Sequence, residues 1–131
     1  MDRMYSVLVL DDEPIVCKRL KSALAKDGFD VEVLSNSREA LNRIQEKEFD
    51  VVVTDFRMDD VDGIDVLEHA LSRSERTKVV LITGYATLEL AHEALAKGAF
   101  DVIAKPFQPK DLRKIVARAV KELPVGISEN G

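Results

Sequence analysis

Five positions carry groups that could do chemistry together: Asp11, Asp12, Asp55, Thr83 and Lys105. Each stands at or beside the end of a short apolar run. "VLVL" (7–10) leads into Asp11 and Asp12, "VVVT" (51–54) into Asp55, "VVLIT" (79–83) ends on Thr83, and "DVIA" (101–104) leads into Lys105. Brought to one place, they would make a pocket of three carboxylates, a hydroxyl and an ammonium. Three carboxylates repel one another, each pair by about 1–4 kcal/mol at roughly 4 Å, depending on the effective dielectric. They stay ionised together only beside a cation; otherwise a pKa rises. One lysine cannot neutralise three acids. A divalent cation can, and an all-oxygen set without His or Cys favours Mg2+, which keeps some waters and recruits phosphate oxygens. A metal, a lysine and a hydroxyl around one carboxylate are the parts of a phosphoryl-transfer site. The carboxylate would attack, and the cations would take up charge on the equatorial oxygens.

Those positions need elements to hold them. Continuous apolar runs of this length suit strands covered on both faces, while "VEVL" (31–34), with a charge inside the run, suits an edge strand. Helical spacing fills the gaps. From Pro14 to Lys26 the pattern is Ile15, Val16, Leu20, Ala23 and Leu24, with Gly28 beyond the end. Ser37 is the expected cap of a second helix striped by Ala40, Leu41 and Ile44. Ile64, Leu67 and Leu71 mark a third; Thr87 caps a fourth, whose face is Leu88, Ala91 and Leu95 and whose stop is Gly98. A fifth runs from Pro109 to Leu123, with Leu112, Ile115, Val116, Ala119 and Val120 inward. Strand and helix alternating five times predict an α/β doubly wound fold, a parallel sheet with helices on both faces. In such a sheet the carboxyl ends of the strands emerge at one edge, where ligands bind. A single Asp or Thr at a strand end is ordinary punctuation. Agreement among four of the five ends argues for a site.

A length of 131 residues suits one domain able to bury its own core, expected over residues 1–123, with the polar "PVGISENG" (124–131) as a flexible tail or the start of a linker. An apolar fraction of 46% with 33% charged residues excludes a disordered segment. The single cysteine, Cys17, excludes an internal disulfide, fits a reducing compartment and reads as a small buried filler. No stretch has the pattern of a signal peptide or the length of a membrane span, so a cytoplasmic location is expected. A net charge of -5 argues against direct nucleic-acid binding, and no glycine-rich phosphate loop supports nucleotide binding.

The motifs "VLVLDDEP", "VVVTDFRM", "VLITGYAT" and "GAFDVIAKPF" resemble, in order, spacing and strand position, the receiver domain of bacterial two-component response regulators, from Tyr5 to about Leu123. "ITGYAT" and "GAFDVIAKPF" look most like receivers of NtrC-type enhancer-binding transcription activators. The resemblance implies a five-stranded, CheY-like and flavodoxin-like sheet of strand order 2-1-3-4-5. It implies that Asp55 accepts a phosphoryl group from a histidine on a partner kinase. Asp12, Asp55 and the backbone carbonyl of Arg57 would bind Mg2+ directly, Asp11 largely through water, and Thr83 and Lys105 would contact the phosphoryl oxygens. It further implies a cis Lys105–Pro106 bond and a changed surface passed to an output domain or protein target.

Two positions depart from that pattern. Val102 stands where receivers usually carry Tyr or Phe, so an aromatic rotamer switch has no ring there; Tyr85 reads as a surface tyrosine. Asp59 replaces a common proline and adds negative charge near the metal. Other signals are weaker. A calcium-loop register over Asp60, Asp62 and Gly63 fails, because Met58 and His69 hold ligand positions. His69 and His92 read as surface histidines. Lys110, Lys114, Arg118 and Lys121 make a solvated basic stripe, with a homodimer contact to Glu89 and Glu93 as the alternative. The competing function is a Mg2+-dependent phosphohydrolase with an aspartyl-phosphate intermediate. Such enzymes of the haloacid dehalogenase type place a second Asp two residues after the nucleophile, and here that residue is Arg57.

Overall fold

A computed structural model of the chain describes residues 4–57, 61–84 and 87–123. The elements alternate as expected: β1 (Ser6–Leu10), α1 (Pro14–Ala25), β2 (Asp30–Leu34), α2 (Ser37–Glu46), β3 (Val51–Asp55), α3 (Gly63–Arg73), β4 (Lys78–Thr83), α4 (Leu88–Ala96), β5 (Asp101–Ala104) and α5 (Pro109–Lys121). The five strands form one parallel sheet in the order β2-β1-β3-β4-β5. Residue alternation along the strands splits the core in two. Leu8, Leu10, Val52, Val79 and Leu81 face Ala40 and Ile44 of α2, Val66, Leu67 and Ala70 of α3, and Ala94 of α4. Val7, Val9, Val51, Val53, Val80 and Ile82 face Leu20 and Leu24 of α1 and Leu112, Val116 and Ala119 of α5. Each such Val, Leu or Ile side chain contributes about 1.5–3 kcal/mol on burial, which fixes the register from both sides.

β3 lies in the middle and is buried along its whole length, Asp55 included. At the opposite edge of the sheet the buried carboxylate of Asp50 accepts the Ser6 N–H at 2.9 Å, and Asp50 N–H donates to the Ser6 carbonyl at 3.0 Å. The β1–β3 pair is thus pinned at the end remote from Asp55. The charge in β2 sits on the edge strand as expected: Arg43 donates to both Glu32 oxygens, at 2.8 and 3.0 Å, and Lys47 lies 3.3 Å away.

Local expectations fared unequally. Thr87 caps α4 by accepting the Leu90 N–H at 3.1 Å, and Gly28 and Gly98 end α1 and α4 with φ of 88° and 105°. The α2 cap is Asn36, not Ser37: the Asn36 side chain accepts the Glu39 N–H at 3.0 Å, while Ser37 is buried as the first helical residue. Asn is as good a cap as Ser, so adjacent candidates compete and packing decides. On α4 Leu88 and Leu95 of the expected stripe are exposed, at 76% and 47%, and Ala91 is half-buried. Ala94 is the buried contact, because a short residue lets the helix lie close. Ile15 of α1 is likewise exposed, and Cys17, Leu20 and Leu24 form its buried face. α5 stops at Lys121 rather than Leu123. The expected tail and the residues Met58, Asp59, Asp60 and Tyr85 lie outside the described residues. Among the described residues no helix is long and apolar enough to cross a membrane.

α3 approaches the end of β3 through Gly63. Its N–H donates to the Phe56 carbonyl at 2.8 Å, and a Cβ there would fall 2.8 Å from Phe56 Cα and 2.9 Å from the Asp55 carbonyl oxygen. Both obstacles are backbone, so a side chain must push α3 off the strand that carries Asp55. Gly63→Ala is expected to cost about 1–3 kcal/mol in urea unfolding. Gly84→Ala, where a Cβ meets nothing within 4 Å, should fall within about 0.5 kcal/mol of wild type. Equal effects at the two positions would contradict this reading of the packing.

Candidate functional site

The carboxyl ends of β1, β3, β4 and β5 bring the predicted residues together. β1 delivers Asp11, fully buried, and the exposed Asp12; β3 delivers Asp55, 6% exposed. One oxygen from each of these carboxylates lies within 4.8 Å of the others. Thr83, buried at the end of β4, follows Ile82, which pairs with Asp55 across the sheet. Lys105 follows β5 by one residue. Its N–H donates to the Thr83 carbonyl at 2.8 Å, and its Nζ reaches 3.2 Å from Asp55 Oδ2. The Lys105–Pro106 bond is cis, as the resemblance implied.

Backbone contacts hold these groups in place. The Phe56 N–H donates to the Ile82 carbonyl at 2.7 Å, continuing the β3–β4 pairing just past Asp55. Arg57, exposed, donates its N–H to Asp55 Oδ1 at 3.3 Å, and the buried Thr54 hydroxyl donates to the Asp55 carbonyl at 3.0 Å. Asp11 Oδ1 accepts the Glu13 N–H at 2.9 Å, which closes the loop entering α1.

Two contacts were not foreseen. The Cys17 thiol, expected only as filler and indeed buried, donates to the Asp11 carbonyl at 3.3 Å from the first turns of α1. Burial and the nearby Asp11 charge push its pKa up, so the proton it donates is retained. Glu13 Oε1 lies 3.4 Å from Lys105 Nζ, placing a fourth carboxylate at the rim. Glu13 directly follows the acidic pair at a helix start, and that adjacency is the signal that could have revealed it.

The electrostatics are unbalanced. Lys105 Nζ sits within 3.4 Å of Asp11 Oδ2 and Glu13 Oε1 and 3.2 Å of Asp55 Oδ2, one cation among three anions. Burial pulls the lysine pKa down, but the Asp55 hydrogen bond and the Asp11 and Asp55 charges outweigh it, and the net shift is upward. For Asp11 the main effect is burial, which raises its pKa; the Glu13 N–H opposes, the Asp55 charge adds, and the net shift is up. Asp11 Oδ2 is, moreover, buried without a hydrogen bond, its contact with Lys105 being of ion-pair distance only. An oxygen of that kind is costly unless a partner joins it. Three clustered carboxylates, one with an oxygen that makes no hydrogen bond, fit a hard divalent cation, and Asp11, Asp12 and Asp55 are the residues that could hold it.

A raised Asp11 pKa has a defined sign for stability. The folded protein binds that proton more tightly than the unfolded chain, so stability falls as pH rises from the ordinary Asp value, about 3.9, through the raised one. In metal-free buffer Asp11→Asn should therefore be more stable than wild type at pH 7, by on the order of 1 kcal/mol. The gap should narrow toward pH 4, as read by urea midpoints. A variant less stable than wild type at pH 7 would contradict this assignment of the strain.

Comparison with known proteins agrees with this geometry. Residues 7–117 match the family described as response regulator receiver domain. Regulatory protein AtoC of Escherichia coli K12 is 41% identical over 121 residues, covering 92% of this chain and 26% of that protein. The chain spans about a quarter of the length of the curated relatives it matches. A response regulator receiver domain protein from Clostridium thermocellum superposes with a TM-score of 0.83 at 32% identity, covering 90% of this chain and 95% of that one. A beryllofluoride-activated NtrC4 receiver domain dimer does so with a TM-score of 0.85 at 32% identity, covering 91% and 98%. Sheet order, acidic edge and sequence all converge, and the chain belongs to the response regulator receiver domain family, the signalling module of two-component systems.

Proposed function

We propose that Asp55 accepts a phosphoryl group from the phosphohistidine of a sensor histidine kinase, with Mg2+ as the cofactor. The observation that carries this reading is the buried Asp55 carboxylate at the centre of the sheet edge, 3.2 Å from the Lys105 ammonium and grouped with two further carboxylates. Asp11, Asp12, Asp55 and the Arg57 carbonyl are the proposed ligands. When bound, the ion neutralises charge on the acids and on the phosphoryl oxygens. The chain's own residues do the rest. An Asp55 oxygen attacks phosphorus in line with the departing imidazole nitrogen, and a new P–O bond replaces the P–N bond. Lys105 moves its hydrogen bonds onto the phosphoryl oxygens, and the Thr83 hydroxyl donates to another. The sheet edge keeps all three groups in position, so little reorganisation accompanies transfer.

The product is a signal rather than a turnover cycle. Acyl-phosphate formation adds about one negative charge and new acceptor oxygens. Because Lys105 N–H is tied to the Thr83 carbonyl, movement of either residue pulls on both β4 and β5. The β4–α4 and β5–α5 units therefore form the proposed switching surface. Val102, partly buried against the α3–α4 side of the core, is stiff at χ1 and carries no ring, so the output surface must change by backbone and helix displacement. The exposed Leu88 and Leu95 on α4 support a homodimer through this face, although Arg118, one of the basic residues invoked for it, already pairs with Asp101 of its own chain. Relatives named regulatory protein and transcriptional regulatory protein support an output in transcription control, of the NtrC type; the location proposed for it is the cytoplasm. Phosphohydrolase activity is disfavoured by Arg57 at the place where such enzymes hold a second aspartate.

Incubation with acetyl phosphate and Mg2+ should add one phosphoryl mass to the intact protein, metastable over minutes. Asp55→Asn should remove the adduct, and Lys105→Ala should slow its formation by about 10-fold or more, the loss of one charge-assisted contact to the transferring group. An adduct that persists unchanged in Asp55→Asn would overturn the acceptor assignment, and rapid donor turnover would favour the hydrolase.

A further inference from the structure

The Lys105 ammonium has three carboxylate neighbours, and they are not equivalent. Asp11 and Asp55 hold it from the buried side, with side chains 0% and 8% exposed, whereas Glu13 reaches it from solvent with a side chain 59% exposed. Glu13 is the residue that precedes α1, yet its side chain makes no capping hydrogen bond to the helix. Its side chain instead accepts from the Lys105 ammonium, at 3.4 Å. A negative charge thereby stands on the solvent side of Lys105, the cation that the proposed reaction needs for the incoming phosphoryl oxygens. We propose that Glu13 is a specificity-determining residue for phosphoryl transfer, a rim carboxylate that disfavours small dianionic donors relative to donors of lower charge.

The inference rests on Asp55 being the acceptor and deepens that reading. The physical reason is charge alone. A dianion approaching the rim meets the Glu13 charge with twice the repulsion felt by a monoanion at the same distance. A phosphohistidine delivered on a protein surface has its approach set by the contacts of that surface, so it tolerates the barrier better than a free dianion does. Two donors isolate the effect. With acetyl phosphate, a dianion at neutral pH, Asp55 attacks phosphorus, the P–O bond breaks and acetate leaves. With phosphoramidate, a zwitterion of net charge -1 whose nitrogen is already protonated, the P–N bond breaks and ammonia leaves. Neither reaction needs another reactant, and both end in the same acyl phosphate.

The test is the ratio of the two self-phosphorylation rates, acetyl phosphate over phosphoramidate, at saturating Mg2+ and low salt, followed by intact mass. Glu13→Gln should raise the ratio about 3-fold or more, and added salt should shrink that gain. Glu13→Asp, which keeps the charge, should stay near the wild-type ratio. Glu75→Gln, on the turn before β4 at the opposite sheet edge, should also leave it unchanged. An unaltered ratio in Glu13→Gln, or Glu13→Asp behaving like Glu13→Gln, overturns the inference while Asp55 remains the acceptor. If wild type gains phosphate from neither donor, the acceptor reading fails first, and the two failures are distinguishable.

Discussion

Like charges held close together at the end of a buried strand are the constraint on which the rest depends. Asp11 and Asp55 are removed from water, Asp12 stands beside them, and the neighbouring cation is Lys105. The imbalance is not an accident of surface composition, because Asp11 keeps a buried oxygen with no hydrogen bond and a pKa raised chiefly by burial. A protein selected only for stability would place Asn or Ser there. What it holds instead is a preorganised demand for positive charge, met in part by lysine.

The fold is the device that makes this tolerable. Two apolar layers clamp the sheet, so the strand ends cannot spread to relieve repulsion. The register is pinned again at the far edge by Ser6 and Asp50, and at the near edge by Phe56 N–H to the Ile82 carbonyl and Lys105 N–H to the Thr83 carbonyl. Gly63 lets α3 lie against the Asp55 backbone, where any side chain would collide. The same ties join adjacent elements, since Thr83 ends β4 and Lys105 directly follows β5.

Much of this was legible in the sequence because burial on both faces leaves a plain trace. Runs such as "VVVTD" can only be central strands, and their acidic or polar ends must then share one edge. Helix faces were less legible where residues are small. Ala94, not the larger Leu88 or Leu95, contacts the core, because close helix–sheet packing selects for small size and leaves the leucines free. Caps were ambiguous between adjacent candidates, as at Asn36 and Ser37. Glu13 was less legible: its place directly after the acidic pair is a hint, but a charge at a helix start is normally read as a dipole partner. The three-dimensional position of Lys105, 92 residues away, identifies its partner.

A cation demand that the fold creates should be seen directly as binding. Titration of Mg2+ into the metal-free protein at pH 7, followed by amide NMR shifts, tests it with the least inference. The account predicts saturable changes concentrated at residues 11–13, 55–57, 83–84 and 105, lost in Asp11→Asn and Asp12→Asn. Absence of saturation, or shifts scattered over the exposed acids of the helices, would contradict it.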